Sequence, residues 1–219
     1  MIKTEYRQRL PHIQPVGATF FVTFRLFGSL PVIKVKDLRD KYEFDLSKAR
    51  LIEDDGLRNT IIFNLRKKYL YDHDVILDSL NSGPHYLKRP EIMQIVKDEL
   101  HRFNGHLYDL LAFSIMSNHV HVVIDTSIQL SEDDLINEVT ENITSLDVIL
   151  KRIKAPIARY SNRILNKKGQ FWEKESYDIY IRNEVMLSNV ISYVLENPVN
   201  AGLVQKWDEY SGNFVKMSD

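Results

Sequence analysis

An α+β fold is predicted by three features of this 219-residue chain. Alternating side chains at residues 17–26, and the His-Val-His start of an apolar run at 119–125, mark strands. Apolar residues at helical spacing mark long segments between and after them. Their order runs strand, helix, strand, strand, helix, strand, which is the split βαβ arrangement of an antiparallel sheet with helices on one face.

Each element has a local cause. In the first strand Thr19, Phe21, Thr23 and Arg25 alternate with Phe20, Val22, Phe24 and Leu26. Residues 35–71 are predicted mostly helical with a break at Asp54-Asp55-Gly56, then a connector over 72–85 broken by Asn81-Ser82-Gly83-Pro84. Arg89-Pro90 opens a helix through about Phe103, and Asn104-Gly105 stops it. Residues 108–116 and 119–125 form a hairpin around Ser117-Asn118. Residues 147–165 form a second main helix with Asp147 as N-cap, Pro156 as an expected kink or break, and Lys167-Lys168-Gly169 as its stop. Phe171 to Ile181 is the fourth strand. A last helix over 184–197 carries Tyr193, and Pro198 should end it.

The whole is expected to be one ferredoxin-like domain spanning 1–219, with a helical elaboration at about 31–85, an acidic insertion at about 131–147 and the C-terminal tyrosine-bearing helix added to the sheet. The chain has no cysteine, which excludes disulfides and thiolate metal sites. No apolar run is long enough to span a bilayer and the N-terminus lacks a signal-peptide core, so a soluble cytoplasmic protein is expected. The net charge of −1 argues against a generic nucleic-acid coat. Charge is nonetheless segregated: acids crowd 132–147, and Lys151, Arg152, Lys154, Arg159, Arg163, Lys167, Lys168 and Lys174 follow. Arg152, Arg159 and Arg163 fall on nearby helix faces, suited either to tracking a phosphate backbone or to plain solvation.

The chemistry-bearing pattern is Met116-Ser117-Asn118-His119-Val120-His121. On a strand, residues i and i+2 share a face about 7 Å apart, so the two imidazoles can grip one ion while Val120 enters the core. Imidazole pairs alone suit zinc, manganese or another transition ion. Near the C-terminus, Tyr193 and Asn197 lie four apart on one helix face, about 6 Å along the axis. A phenol is a nucleophile toward phosphorus and an amide oxygen is a possible third ligand. Each also has a structural alternative: a core tyrosine with a bonded hydroxyl, and a helix-terminal asparagine before a proline turn. Phe171 and Trp172 are read as base-stacking residues or as a core-facing pair.

Three motifs in order carry a resemblance: Met116 to His121; Gly169-Gln170-Phe171-Trp172-Glu173-Lys174-Glu175-Ser176-Tyr177-Asp178; and Tyr193 to Val204. Together with residues 5–12, 19–26 and 83–103, they make the chain resemble the REP-associated tyrosine transposases, a branch of the single-tyrosine HUH transposases. The resemblance implies metal-dependent cleavage and strand transfer of single-stranded or hairpin DNA through a 5′-phosphotyrosine link. It implies His119, His121 and Asn197 as metal ligands, magnesium or manganese as the ion, and Tyr193 as nucleophile. Arg152, Arg159, Arg163, Lys167, Lys168 and Arg182 are then the candidate DNA contacts, with Arg182 and Lys174 as cations near the phenol. A monomer, or a homodimer with the tyrosine working in trans, is compatible with it. Ser117 departs from the proline common there in relatives. Two other classes stay open: a domesticated DNA-binding protein without cleavage, and a metal-dependent phosphohydrolase using a bound water.

Overall fold

The computed structural model describes residues 5–7, 11–79, 83–130 and 143–217. Most of the acidic insertion, at 131–142, and Gln8-Arg9-Leu10 of the N-terminal motif lie outside the described residues. The chain divides into two compact units: residues 1–27 with 85–219, and residues 28–84.

The first unit is built on a five-stranded antiparallel sheet. Two short strands, β1 (Glu5–Arg7) and β2 (Pro11–Ile13), pair separately. The main sheet comprises β3 (Thr19–Arg25), β4 (Asp109–Ile115), β5 (His119–Asp125), β6 (Tyr177–Tyr180) and β7 (Asn213–Val215), in the order β6-β3-β5-β4-β7. The strand bearing both histidines is therefore central, paired with β3 on one side and β4 on the other. Gly17 permits the entry to β3, because its φ of 68° is left-handed and a Cβ there would strike Leu130 at 2.2 Å.

Alternation sorts the two faces. Phe20, Val22 and Phe24 of β3 join Val120, Val122 and Ile124 of β5 in the larger core. Helices α3 (Pro90–His101) and α4 (Leu146–Ile164) cover that face with Ile92, Val96, Ile149, Ile153 and Ile157, all fully buried. Each such side chain contributes about 1.5–3 kcal/mol through burial. On the other face Phe21, Ala112 and Val123 pack against Val194, Val190, Ile191 and Tyr193 of α5 (Glu184–Asn200). The fold is α+β, with the two main helices on one face and the tyrosine helix across the other. Tyr108 clasps α3 to the sheet, its hydroxyl donating to the Leu100 carbonyl at 2.7 Å in a fully buried setting. Tyr108→Phe should cost about 1–2 kcal/mol in chemical denaturation, because it orphans that carbonyl.

Residues 28–84 hold α1 (Val32–Ala49) and α2 (Asp55–Ser79). The break falls at 50–54, where the Asp54 carboxylate accepts from Leu57 N and caps α2. Tyr42, Tyr69 and His73 pack together in its core, Tyr42 tilted against Tyr69 at 4.9 Å and His73 edge-on to Tyr69 at 4.6 Å between ring centroids.

Several elements differ from expectation. Helix α2 runs to Ser79 rather than stopping at Tyr71, because Tyr69, Leu70, His73, Asp74 and Leu77 keep a buried stripe at helical spacing. Pro156 neither ends nor breaks α4, and Pro198 does not end α5. There Val194, Leu195, Asn197 and Pro198 are all buried, so packing outweighs the lost backbone bond. The true stop is Gly202, with φ 70°. Ser145 rather than Asp147 is the N-cap residue of α4; Asp147 sits in the first turn, where its charge favours the helix dipole. The fourth strand is only Tyr177–Tyr180, with an isolated bridge from Trp172 to Leu26 ahead of it. The expected tail after Gly202 supplies β7.

Candidate functional site

The site is assembled by register. Antiparallel pairing sets Thr23 opposite His121 and Arg25 opposite His119, so all four side chains share one face. The tight turn at Ser117-Asn118 aims the first histidine: Met116 N donates to the His119 carbonyl at 2.9 Å. Ser117 ties this turn to the segment ahead of α3, its hydroxyl 2.8 Å from His85 Nδ1 and its carbonyl accepting from Leu87 N at 3.1 Å. The hydroxyl contact to His85 is one that a proline at this position could not make, whereas the carbonyl contact would survive.

The two Nε2 atoms of His119 and His121 are 2.9 Å apart. His119 Nδ1 lies 2.7 Å from Asn118 Oδ1, and His121 Nδ1 lies 2.9 Å from Thr23 Oγ1. An amide oxygen only accepts, so His119 carries its proton on Nδ1 and presents a bare Nε2. Two imidazole nitrogens so close need a proton or a cation between them. For one ion about 2.1 Å from each nitrogen, 2.9 Å subtends about 90°, the angle between neighbouring ligands of an octahedral ion. Both imidazoles are fully buried. Burial first, then the charges of His121 and Arg25, holds His119 well below the usual histidine range. Burial alone brings His121 down to about 3. Both are therefore neutral at pH 7, the form that binds metal.

Tyr193 comes to this pair from the opposite layer. Its half-buried ring lies 5.8 Å from the His121 ring and 6.0 Å, edge-on, from Phe21, which stacks on His121 at 5.6 Å. The tyrosine and both histidines belong to one chain. Asn197, one turn further along the same helix face, is 2 % exposed, and its Oδ1 has no hydrogen-bond partner among the described residues. A buried amide oxygen left so is costly and suits a cation. The imidazole pair fits a divalent transition ion.

Arg25 was not singled out from sequence, although alternation in β3 places it on the Thr23 face. It is buried opposite His119 and ion-paired with Glu173 at 3.4 Å.

The basic residues are not all gathered here. Arg152, Arg159 and Arg163 are exposed on α4, on the other side of the sheet. Arg159 bonds to Tyr160, and Lys167 caps the Tyr86 ring at 4.3 Å; Lys168 is exposed. Arg182, exposed between β6 and α5, lies 5.1 Å from the Tyr180 ring centroid. Lys174 lines a cavity beside α4 rather than the tyrosine. Phe171 and Trp172 are core residues, 5 % and 6 % exposed, with Trp172 edge-on to Phe24 at 4.9 Å.

No family model matches the sequence, and no curated protein does. Among solved structures, the chain is similar to that of a REP-associated tyrosine transposase bound to a REP hairpin. The TM-score is 0.50 and the identity 13 %, over 95 % of this chain and 81 % of the other. At that identity the likeness bears on the fold. No helix among the described residues is long and apolar enough to cross a membrane.

Proposed function

We propose that this protein cleaves and rejoins single-stranded DNA through a covalent tyrosine intermediate, acting on hairpin-forming sequences. The observation that carries this reading is the convergence, in one chain, of two imidazole nitrogens 2.9 Å apart and a tyrosine whose ring centre lies 5.8 Å from that of His121. The solved structure of similar fold holds a DNA hairpin, which agrees with such a substrate.

In this reading His119, His121 and Asn197 hold magnesium or manganese. When bound, such an ion polarises a phosphodiester as a Lewis acid. Tyr193 Oη attacks phosphorus; the bond from phosphorus to the 3′ oxygen breaks, and that oxygen leaves as a hydroxyl, taking a proton. The phenol proton passes to water. The 5′ phosphate stays on the tyrosine until another 3′-hydroxyl reverses the step. Thr23 and Asn118 orient the imidazoles through their Nδ1 atoms. Arg25, buried opposite His119 and held by Glu173 at 3.4 Å, adds its guanidinium to the histidine face. Phe21 walls the tyrosine against His121. Because α4 and α5 lie on opposite faces, DNA held by Arg152, Arg159, Arg163 and Lys168 passes a sheet edge to reach Tyr193, and β6 is the edge that leads into α5. Arg182 is exposed on that route.

Labelled hairpin DNA with single-stranded flanks, incubated with manganese, should yield a covalent adduct on denaturing gels. Tyr193→Phe should abolish the adduct and keep binding. Cleavage without an adduct would indicate a hydrolase using bound water, and binding without cleavage a DNA-binding protein.

A further inference from the structure

Beside α4, on the sheet face away from the histidines, the first unit has an open cavity of about 520 Å³. That volume falls in the range of about 300–1,000 Å³ typical of small-molecule sites. Leu150, Ala158 and Trp172 give it an apolar wall. Lys154, Ser176 and the buried Asp178 give it a polar one. Lys151 and Lys174 are exposed at its rim.

Lys154 is the built part of the site. Its ammonium donates to Ser176 Oγ at 2.8 Å and to the Glu173 carbonyl at 3.1 Å, using two of its three N–H groups among the described residues. Burial pulls its pKa down to about 8, against the opposing pull of Glu173, as expected of a lysine withdrawn from bulk water. Carboxylates of Asp147, Glu173 and Asp178 balance the lysines, which disfavours a bare anion. Paired lysines likewise disfavour a metal. The chemistry that fits is a flat body with hydrogen-bond donors and acceptors on its edge and a negative group at the mouth, which describes a nucleotide.

The cavity also touches the candidate site. Glu173, whose carbonyl holds Lys154, sends its carboxylate to Arg25 on the histidine face. Residues 169–178, which form one wall, lead directly into the β6 edge.

We propose that this cavity takes one unpaired nucleotide of the DNA strand, its base beside Lys154, Ser176 and Asp178 and its phosphate at Lys151 and Lys174. This rests on the single-stranded DNA reading above and adds a recognition site to it.

The test uses Ala155→Tyr, which plugs the mouth from an exposed position on α4 without removing a polar group or adding a tryptophan. In the Tyr193→Phe background, binding of a labelled hairpin with single-stranded flanks is compared by anisotropy with binding of the same hairpin without flanks. The plug should weaken the flanked hairpin about tenfold and leave the bare hairpin unchanged, which also shows that the variant is folded. Equal binding of the flanked hairpin with and without the plug, or equal weakening of both DNAs, overturns the proposal. Flank-selective loss in a protein whose Tyr193 form makes no adduct would keep the pocket and discard the cleavage reading. If the parent binds neither DNA, the DNA reading fails, and with it the strand as the source. Titration of deoxynucleoside monophosphates against Trp172 fluorescence, in a Trp207→Phe background, covers the other source. Saturable quenching removed by the plug would then assign the cavity to free nucleotides, and absence of quenching would overturn a nucleotide site altogether.

Discussion

His121→Ala is expected to remove the rise in thermal stability that manganese confers and to lower adduct formation by about 10²–10³-fold. The stability effect follows from linkage: an ion that binds only the folded chain stabilises it by RT ln(1 + [L]/Kd), and a pair reduced to one imidazole loses most of that affinity. The substitution also has a structural cost. It vacates a fully buried position, removes the stack on Phe21 and leaves the Thr23 hydroxyl without its ring partner. The baseline in EDTA will therefore fall too, and the diagnostic quantity is the difference between manganese and EDTA in each protein. Thr23→Val provides a graded companion. It keeps the ligand and the side-chain shape but removes the group that fixes His121 Nδ1, and should weaken metal binding by about 10–100-fold. A manganese increment that survives His121→Ala would show that the histidines are packing residues.

Much of this arrangement is legible in the residues. The period of two in 19–25 and 119–125, together with the two-residue turn at Ser117-Asn118, puts His119, His121, Thr23 and Arg25 on one face once β3 and β5 are paired. The four-residue spacing of Tyr193 and Asn197 sets them on one helix face. What alternation does not say is which helices cover which face, and that decides where the basic residues lie. The apolar stripe of α4 is as good a match for either side of the sheet; only its docking against Val22 and Phe24 carries Arg152, Arg159 and Arg163 away from the histidines. Local rules also overreached at the prolines. Pro156 and Pro198 each remove one backbone bond, a loss smaller than the burial of the residues around them. Strand β7 escaped notice because three half-buried residues show too little alternation to read. The pairing of Arg25 with Glu173 joins positions 148 residues apart, beyond the reach of spacing.

Acid should destabilise the metal-free protein steeply, and the same experiment reports whether the histidine pair is as enclosed as its geometry indicates. In the unfolded chain each imidazole titrates near 6.5, whereas in the folded protein burial keeps His121 neutral to about pH 3 and holds His119 well below its ordinary range. Between those limits the unfolded state binds more protons, so stability is full above pH 6.5 and falls as the pH drops below it. Each histidine adds a slope of up to about 1.4 kcal/mol per pH unit, and the two together approach about 3. Urea denaturation in EDTA from pH 7.5 to 4.5 measures this slope, and His121→Gln should reduce it by about one proton's worth. Metal binding gives the sharper contrast. An exposed pair would lose affinity below pH 6.5 by about tenfold per pH unit for each histidine, because protons compete for the same nitrogens. Here the folded imidazoles stay deprotonated, so the stability added by manganese should be nearly constant from pH 7 to pH 5. A manganese increment that collapses through pH 6 would mean that water reaches the two nitrogens freely, and that neither burial nor the neighbouring Arg25 charge governs their protonation.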